Sequence, residues 1–382
     1  MTATMNPRYA ELLEPSIPFP GPALTAPRIA GVATAVTGTS YTQQEILDLF
    51  EISDPKVRSV FLNSAIERRF LSLPPRDLHG ALRSEAQGEL LDKHRKLALD
   101  MGSRAIRKCL ADTGIDLDDV DYLCVTTTTG FLTPGLSALL IRSLGLQPQT
   151  SRVDVVGMGC NAGLNALQAT AGWATAHPGR VAVMLCVEAC SAAYVIDDTM
   201  RTAVVNSLFG DGAAAVALVA DPSQPPPPVG ARRGFHGPRI LGFSSHLITE
   251  AIDAMRYDWN DTQGKFSFYL DPQVPYVVGA HAEQVVDRLL APAGLRRSDI
   301  GHWLVHSGGK KVIDAVRINL GLTRHDLRHT TGVLRDYGNL SSGSFLFSYE
   351  RLLGEDAITP GEYGVLMTMG PGSTIETALV QW

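Results

Sequence analysis

The 382-residue sequence predicts an α/β fold built from two copies of one unit packed face to face. Three observations carry this. Short β-branched apolar runs alternate with longer segments whose apolar residues recur at helical spacing, the pattern of layered α/β proteins. The strand candidate Tyr122-Leu-Cys-Val-Thr leads through a glycine turn to a helix ending Arg142-Ser-Leu-Gly-Leu146, and Trp303-Leu-Val-His306 leads through Gly308-Gly309 to a helix ending Ile318-Asn-Leu-Gly-Leu322. Between these runs lies a stretch, 222–237, that contains four consecutive prolines, a repeat boundary or linker.

The domain expectation is an N-terminal arm (1–27, six prolines), a first half (28–221), the linker (222–237) and a second half (238–382). Taken in order, residues 28–37 read as a first strand. Residues 42–50 open with Thr-Gln-Gln, a capped helix start. Residues 56–70 read as a helix carrying Lys56, Arg58, Arg68 and Arg69, either a solvated face or a site for anionic phosphates. A long amphipathic helix (91–113), a strand running into Thr126-Thr-Thr-Thr129-Gly130 (121–129) and a helix (136–144) follow. Residues 152–156 read as a buried strand and 161–174 as an Ala-rich helix. Strands are expected at 180–188 and, after the Phe209-Gly-Asp-Gly212 turn, up to 219. The second half offers strands at 240–248, 303–306 and 363–369, and helices at 278–290, 310–320 and 344–353.

Composition is that of a globular protein, and a net charge of −6 argues against nucleic-acid binding. No apolar run reaches membrane-spanning length, and no basic start precedes an apolar core, so neither a membrane span nor a signal peptide is expected. The five cysteines are odd in number, which fits a reduced cytoplasm better than a disulfide framework. No Cys/His spacing resembles a zinc site, so no metal is expected.

Cys160 falls where a tight Gly-Cys turn enters a helix. Free N–H groups and the helix dipole lower a thiol pKa there, which makes Cys160 a candidate nucleophile; a small buried hydrophobe is the plain alternative. A nucleophilic thiol needs a proton acceptor and a stabiliser of developing negative charge. His306 stands at a strand's C-terminal end before Ser-Gly-Gly, where α/β sites collect. Asn339, in Asp336-Tyr-Gly-Asn339-Leu-Ser-Ser-Gly343, precedes a helix and is able to aim an amide N–H at a carbonyl oxygen. A packed histidine and a helix cap are their alternatives. Each of the three lies at a glycine-flanked junction. Cys160 is in the first half and the other two in the second, so a face-to-face duplication would bring them to one cleft.

Five motifs, Gly-Met-Gly-Cys160, Leu-Phe209-Gly-Asp-Gly, Val-His306-Ser-Gly-Gly, Tyr-Gly-Asn339-Leu-Ser-Ser and Gly370-Pro-Gly-Ser-Thr-Ile-Glu376, occur in the order found in the type III polyketide synthases, and the chain resembles that chalcone synthase-like family from about residue 28 to the end. Phe61-Leu-Asn-Ser-Ala-Ile, Gly130-Phe-Leu-Thr-Pro-Gly, Ala254-Met-Arg-Tyr-Asp-Trp259 and Arg324-His-Asp-Leu-Arg-His-Thr-Thr are most similar to a bacterial branch that joins four malonyl-CoA into a dihydroxyphenylacetyl thioester for glycopeptide antibiotics.

The resemblance implies a thiolase-like fold of α/β/α/β/α layers, a cytoplasmic homodimer, and coenzyme A thioesters as substrate and product, with no bound cofactor or metal. Enoyl-CoA hydratase-like enzymes of the same pathway are expected as further partners. Cys160 would carry the growing chain, and His306 and Asn339 would stabilise the enolate left when malonyl-CoA loses carbon dioxide. Phe209 and Phe268 would be the gate between coenzyme A tunnel and cavity. Thr129, Cys190, Ala193, Ser341, Gly370, Pro371 and Gly372 would shape the pocket. Lys56, Arg58, Arg68, Gly308, Gly309 and Lys310 would meet coenzyme A.

The sequence departs from the plant pattern in three places. Thr133 replaces a methionine that crosses the dimer interface, Glu67 replaces a coenzyme A-binding lysine, and the segment 186–199 is about two residues shorter. A naphthol- or pyrone-forming member of the family and an initiating ketoacyl-carrier-protein synthase are the alternatives. A scaffold that only binds acyl-CoA would need no Cys-His-Asn set.

Overall fold

The computed structural model describes residues 26–80, 82–193, 199–220 and 237–382. Nearly all of the expected arm (1–27) and linker (222–237) lie outside these residues, as do 194–198 of the pocket segment.

In chain order the first half contains β1 (Arg28–Ala35), β2 (Ser40–Thr42), α1 (Gln43–Leu49), α2 (Pro55–Leu62), β3 (Arg68–Phe70), α3 (Gln87–Thr113), β4 (Val120–Thr126), α4 (Leu136–Leu144), β5 (Ser151–Val155), α5 (Ala162–Ala176), β6 (Val181–Glu188), α6 (Met200–Leu208) and β7 (Gly212–Val219). The second contains β8 (Arg239–Leu247), β9 (Met255–Asn260), β10 (Lys265–Leu270), α7 (Val274–Leu290), β11 (Ile300–Val305), α8 (Lys310–Leu320), α9 (Arg328–Tyr337), α10 (Ser344–Leu353), β12 (Tyr363–Gly370) and β13 (Thr374–Gln381).

Local chemistry sets many of these ends. Thr42 and Glu45 form a reciprocal cap on α1, and Asp54 caps α2 ahead of Pro55 in the first turn. Gly145 and Gly321 end α4 and α8 at φ of 73° and 70°, a left-handed conformation that costs a side chain-bearing residue more.

The strand pairing confirms the duplication. The main sheet has the order β11-β12-β13-β8-β1-β7-β6-β4-β5. From the centre outward on one side, β1-β7 and β7-β6 are antiparallel, and β6-β4 and β4-β5 parallel. On the other side, β8-β13 and β13-β12 are antiparallel and β12-β11 parallel. The halves meet where β1 pairs with β8 at Arg28 and Arg239.

The buried helices α5 and α10 lie between the two half-sheets, α5 touching β4 and β6 as well as β12. On the outer faces α3 covers β1, β6 and β7, and α7 covers β8 and β13. This is the expected α/β/α/β/α layering. Along β6, Ala182, Met184 and Cys186 face the central core and Val183, Leu185 and Val187 the outer one. Both faces of the strand are covered, which is why its sequence reads as one apolar run.

Several expectations need correction. The helix expected over 56–70 ends at Leu62, because Ala65 takes φ of 62° and turns the chain into β3, placing Arg68 on a strand. The strand expected to be buried at 152–156 is the sheet's edge strand, leaving Val153 40% and Val156 49% exposed. α6, α9, β13 and the β9-β10 hairpin were not anticipated. No helix among the described residues is long and apolar enough to cross a membrane. No group of three or more metal-ligating side chains occurs among them, and all five cysteines are free thiols.

Candidate active site

The turn between β5 and α5 is held open for Cys160 by missing side chains. Gly157 and Gly159 have φ of 83° and 73°, and a Cβ on Gly159 would lie 2.2 Å from Pro371 Cδ. A Cβ on Gly370 would lie 2.4 Å from Asn161 Oδ1 and 3.0 Å from the Cys160 backbone nitrogen. The Gly370-Pro-Gly loop therefore rests directly on the Cys160 turn, and only glycine allows the approach. Cys160 is 8% exposed and lines a cavity of about 290 Å³.

The second half supplies the other two residues. His306 follows β11, its backbone N–H donating to Met367 O at 2.8 Å on β12. The next residue of β12, Thr368, donates to Asn161 O at 3.4 Å, beside Cys160. Asn339 lies in the turn before α10. Its N–H donates to Leu208 O at 2.8 Å, and its Oδ1 accepts from Ser341 N at 2.8 Å. Ser341 Oγ in turn donates to Cys160 Sγ at 3.5 Å. Ser307, next to His306, donates to Gly338 O at 3.2 Å, next to Asn339. The three junctions are thus bonded to one another. Among the described residues the sulfur's hydrogen-bond partner is Ser341 and not the imidazole, and His306 Nδ1 is buried without a partner.

Electrostatics correct one expectation. The helix start should lower the thiol pKa, but burial outweighs it and pushes Cys160 up to about 12, with the Ser341 hydrogen bond pulling the other way. Burial also pulls His306 down to about 3. The resting pair is therefore thiol and neutral imidazole.

Phe209 and Phe268 both line the cavity, their rings edge to face with centroids 5.9 Å apart. The Phe209 turn is braced by Arg69, a fully buried guanidinium that donates to Phe209 O at 2.8 Å and to Gln43 Oε1 at 2.9 Å. Thr129, Cys190, Ala193, Ser341 and Pro371 also line the cavity; Gly370 and Gly372 flank Pro371 without lining it. The residues expected to meet coenzyme A lie outside the cavity wall. Lys56, Arg68 and Lys310 are exposed, and Arg58 donates to Ile52 O at 2.9 Å. A Cβ on Gly308 would lie 3.1 Å from the His306 ring, and one on Gly309 3.3 Å from Leu208.

Sequence reasoning missed part of the wall and a carboxyl buried behind it. Met255, Arg256 and Tyr257 enter from the hairpin. Glu188, fully buried at the end of β6, accepts from Ser342 Oγ at 2.5 Å, Thr128 N at 2.9 Å and Thr128 Oγ1 at 3.0 Å. Burial pushes this carboxyl up and these donors oppose it. Thr128 Oγ1 lies 3.2 Å from Ser341 Oγ, which makes this polar wall continuous with the sulfur. The four-threonine run was the available signal.

Comparison with known proteins agrees with the geometry. Residues 54–222 match the family of chalcone and stilbene synthases, N-terminal domain, and 253–382 the C-terminal domain. A 3,5-dihydroxyphenylacetyl-CoA synthase from Streptomyces toyocaensis is 66% identical over the whole of this chain and 99% of its own length. One from Amycolatopsis orientalis is 66% identical over 93% of each chain. The crystal structure of PKS-I from the brown alga Ectocarpus siliculosus superimposes with a TM-score of 0.85 at 26% identity, covering 94% of this chain and 98% of that one. With five motifs in order, a thiolase-like duplicated fold and both family domains matched, the chain belongs to the chalcone and stilbene synthases, the type III polyketide synthases.

Proposed function

We propose that the protein condenses four malonyl-CoA on Cys160 and closes the tetraketide to 3,5-dihydroxyphenylacetyl-CoA. The observation that carries the product is the 66% identity, over the whole chain, to a synthase of that name. Carbon counting agrees. A phenylacetyl skeleton has eight carbons, and each malonyl unit leaves two after decarboxylation. Attack of the terminal methyl carbon on the third carbon closes a six-membered ring, leaves CH2-CO-S-CoA outside it, and puts hydroxyls at positions 3 and 5.

The site's electrostatics suit this chemistry. Free thiols at a pKa of ~8.5 are mostly protonated at neutral pH, and this one is held higher still. Attack on an acyl-CoA therefore requires the thiol proton to pass to His306 as the C–S bond forms and CoA leaves. When malonyl-CoA loses carbon dioxide, the electrons of the broken C–C bond become an enolate. Donors from His306 and Asn339 at its oxygen are worth roughly 3–4 kcal/mol each. The enolate carbon attacks the Cys160 thioester and expels the thiolate. Apolar walls keep out the water that would hydrolyse the acyl-enzyme.

The reading includes a cytoplasmic homodimer, supported by the unpaired β5 edge with its exposed Val153 and by exposed Val156 and Phe131 at the cavity. It includes no organic cofactor or metal, since each step above uses only side chains and coenzyme A thioesters. The wider context is dihydroxyphenylglycine supply for glycopeptide antibiotics, with enoyl-CoA hydratase-like enzymes as pathway partners. Mass spectrometry of the products formed from malonyl-CoA alone tests the reading. Release of 3,5-dihydroxyphenylacetyl-CoA is expected; a pyrone or a tetrahydroxynaphthalene as main product would overturn the specific product.

A further inference from the structure

We propose that His94, on α3 behind the cavity wall, is a positioning residue whose ring sets the direction of a chain of hydroxyl hydrogen bonds ending on Glu188. His94 is fully buried. Its Nδ1 lies 3.2 Å from Thr129 Oγ1, and no described residue bonds its Nε2. The reason lies in Gly130. A Cβ there would come within 2.4 Å of the His94 ring and 2.9 Å of Nε2, so this edge of the imidazole lies against bare backbone, out of reach of a partner.

That packing selects the tautomer. Neutral imidazole carries one N–H, and a proton on Nε2 would be a buried donor with no acceptor, the costlier way to leave an atom unsatisfied. Burial pulls His94 down to about 4, so the ring is neutral at pH 7. The proton therefore sits on Nδ1 and is donated to Thr129 Oγ1.

The rest of the chain follows by counting lone pairs. Thr129 Oγ1 also accepts from Ala189 N at 3.0 Å, so both its acceptor sites are filled. Its own hydrogen must go to Thr127 Oγ1, 3.2 Å away. Thr127 Oγ1 accepts a second bond from Thr129 N at 3.4 Å, which leaves its hydrogen for Glu188 Oε2 at 3.5 Å. Every hydroxyl thus points toward the carboxyl that also holds Thr128 and Ser342, on either side of Ser341. His94 touches no reacting atom in this arrangement. It keeps Glu188 an acceptor and so fixes the polar wall beside the Cys160 sulfur.

The effect on turnover rests on the proposed polyketide reaction; the tautomer does not, and the two are tested separately. In 15N-histidine-labelled protein without substrate, the resonances lost in His94→Asn should report an Nδ1–H tautomer that does not titrate between about pH 5.5 and 8, unlike a free imidazole near 6.5. Should the histidine variant not fold, Thr129→Val, which removes the acceptor and keeps the ring, gives the assignment. An Nε2–H tautomer, or titration near the free value, overturns the proposal.

In the product assay, His94→Leu should lower kcat about tenfold with KM for malonyl-CoA within about twofold. His94→Asn, whose amide nitrogen takes the place of Nδ1, should restore kcat to within about threefold. Equal losses in Leu and Asn variants would mean that the ring only fills space, and overturn the proposal. If the wild-type protein makes no polyketide, the functional reading fails while the tautomer result stands.

Discussion

Four strands run in the same order in the two halves, only β5 lacking a counterpart, and different chemistry stands at matching places. In the first, β4 leads to the threonine loop, and the turn Gly159–Asn161 before α5 carries Cys160. In the second, β11 leads to His306, and the turn Ser341–Gly343 before α10 carries serines, with Asn339 just ahead of it. Neither half holds both Cys160, the proposed nucleophile, and His306, its proposed proton acceptor. The scaffold was doubled, and the reacting groups were divided between the copies. Because α5 and α10 pack between the half-sheets, the two turns face each other across a bond from Ser341 to Cys160.

This division is open to direct attack. The largest effect is expected from the first half: Cys160→Ala should abolish condensation while leaving the circular dichroism spectrum and melting cooperativity unchanged. Residual polyketide formation would remove the nucleophile from that half. In the second half, Asn339→Ala should lower the decarboxylation rate by about 10²–10³, measured as carbon dioxide released from malonyl-CoA, since one donor to the enolate oxygen is lost. A loss under tenfold would mean the amide points elsewhere.

At the seam, Gly370→Ala should drive a methyl group into Asn161 and the Cys160 backbone, displacing the sulfur. An overpacking cost of about 1–3 kcal/mol there predicts a drop in kcat of tenfold or more, read from steady-state kinetics. At the proposed gate, Phe268→Leu removes an edge-to-face contact with Phe209 worth about 0.5–1.5 kcal/mol, so KM for malonyl-CoA should rise by up to about tenfold with a smaller change in kcat.

The smallest effect is spread over both halves and appears in stability. Burial holds the folded-state pKa of His94, His306 and His329 at about 4, about 3 and about 4, below the ordinary 6.5. Their depressed values favour proton uptake by the unfolded chain, so stability is full above pH 6.5 and falls as pH drops below it. Asp211, raised by burial from 3.8 to about 6, contributes with the opposite sign between those values. Calorimetry should show the melting temperature declining below about pH 6.5, with a shallower decline in His94→Asn.

Much of this was legible in the residues themselves. α4, α8 and α10 fall on their expected bounds because an apolar stripe and, for the first two, a terminal glycine define them locally. Cys160, His306 and Asn339 stood out because each sits at a glycine-flanked junction. What was not legible depends on distant neighbours. Ala65 gives no sign that it will take a left-handed turn, so Arg68 and Arg69 read as helical. The β9-β10 hairpin mixes charged and aromatic residues and pairs outside the main sheet, so no periodicity announced it. The thiol's high pKa comes from the walls that other elements build around it, which a local reading of the helix start does not contain.

The central claim, that a sulfur from one half is activated by an imidazole from the other, predicts an unusual pH dependence. Proton transfer from thiol to imidazole changes no net charge, so its extent is independent of pH while both groups stay neutral at rest. The rate of Cys160 alkylation by iodoacetamide, followed by peptide mass spectrometry, should at pH 6 exceed that of His306→Ala by about tenfold or more and rise with a clearly shallower slope up to pH 9 in the wild-type protein, because the imidazole-assisted path adds a pH-independent rate to the thiolate path. It should rise about tenfold per pH unit in His306→Ala, as for an unassisted thiol titrating far above neutrality. Identical profiles in the two proteins would contradict the claim.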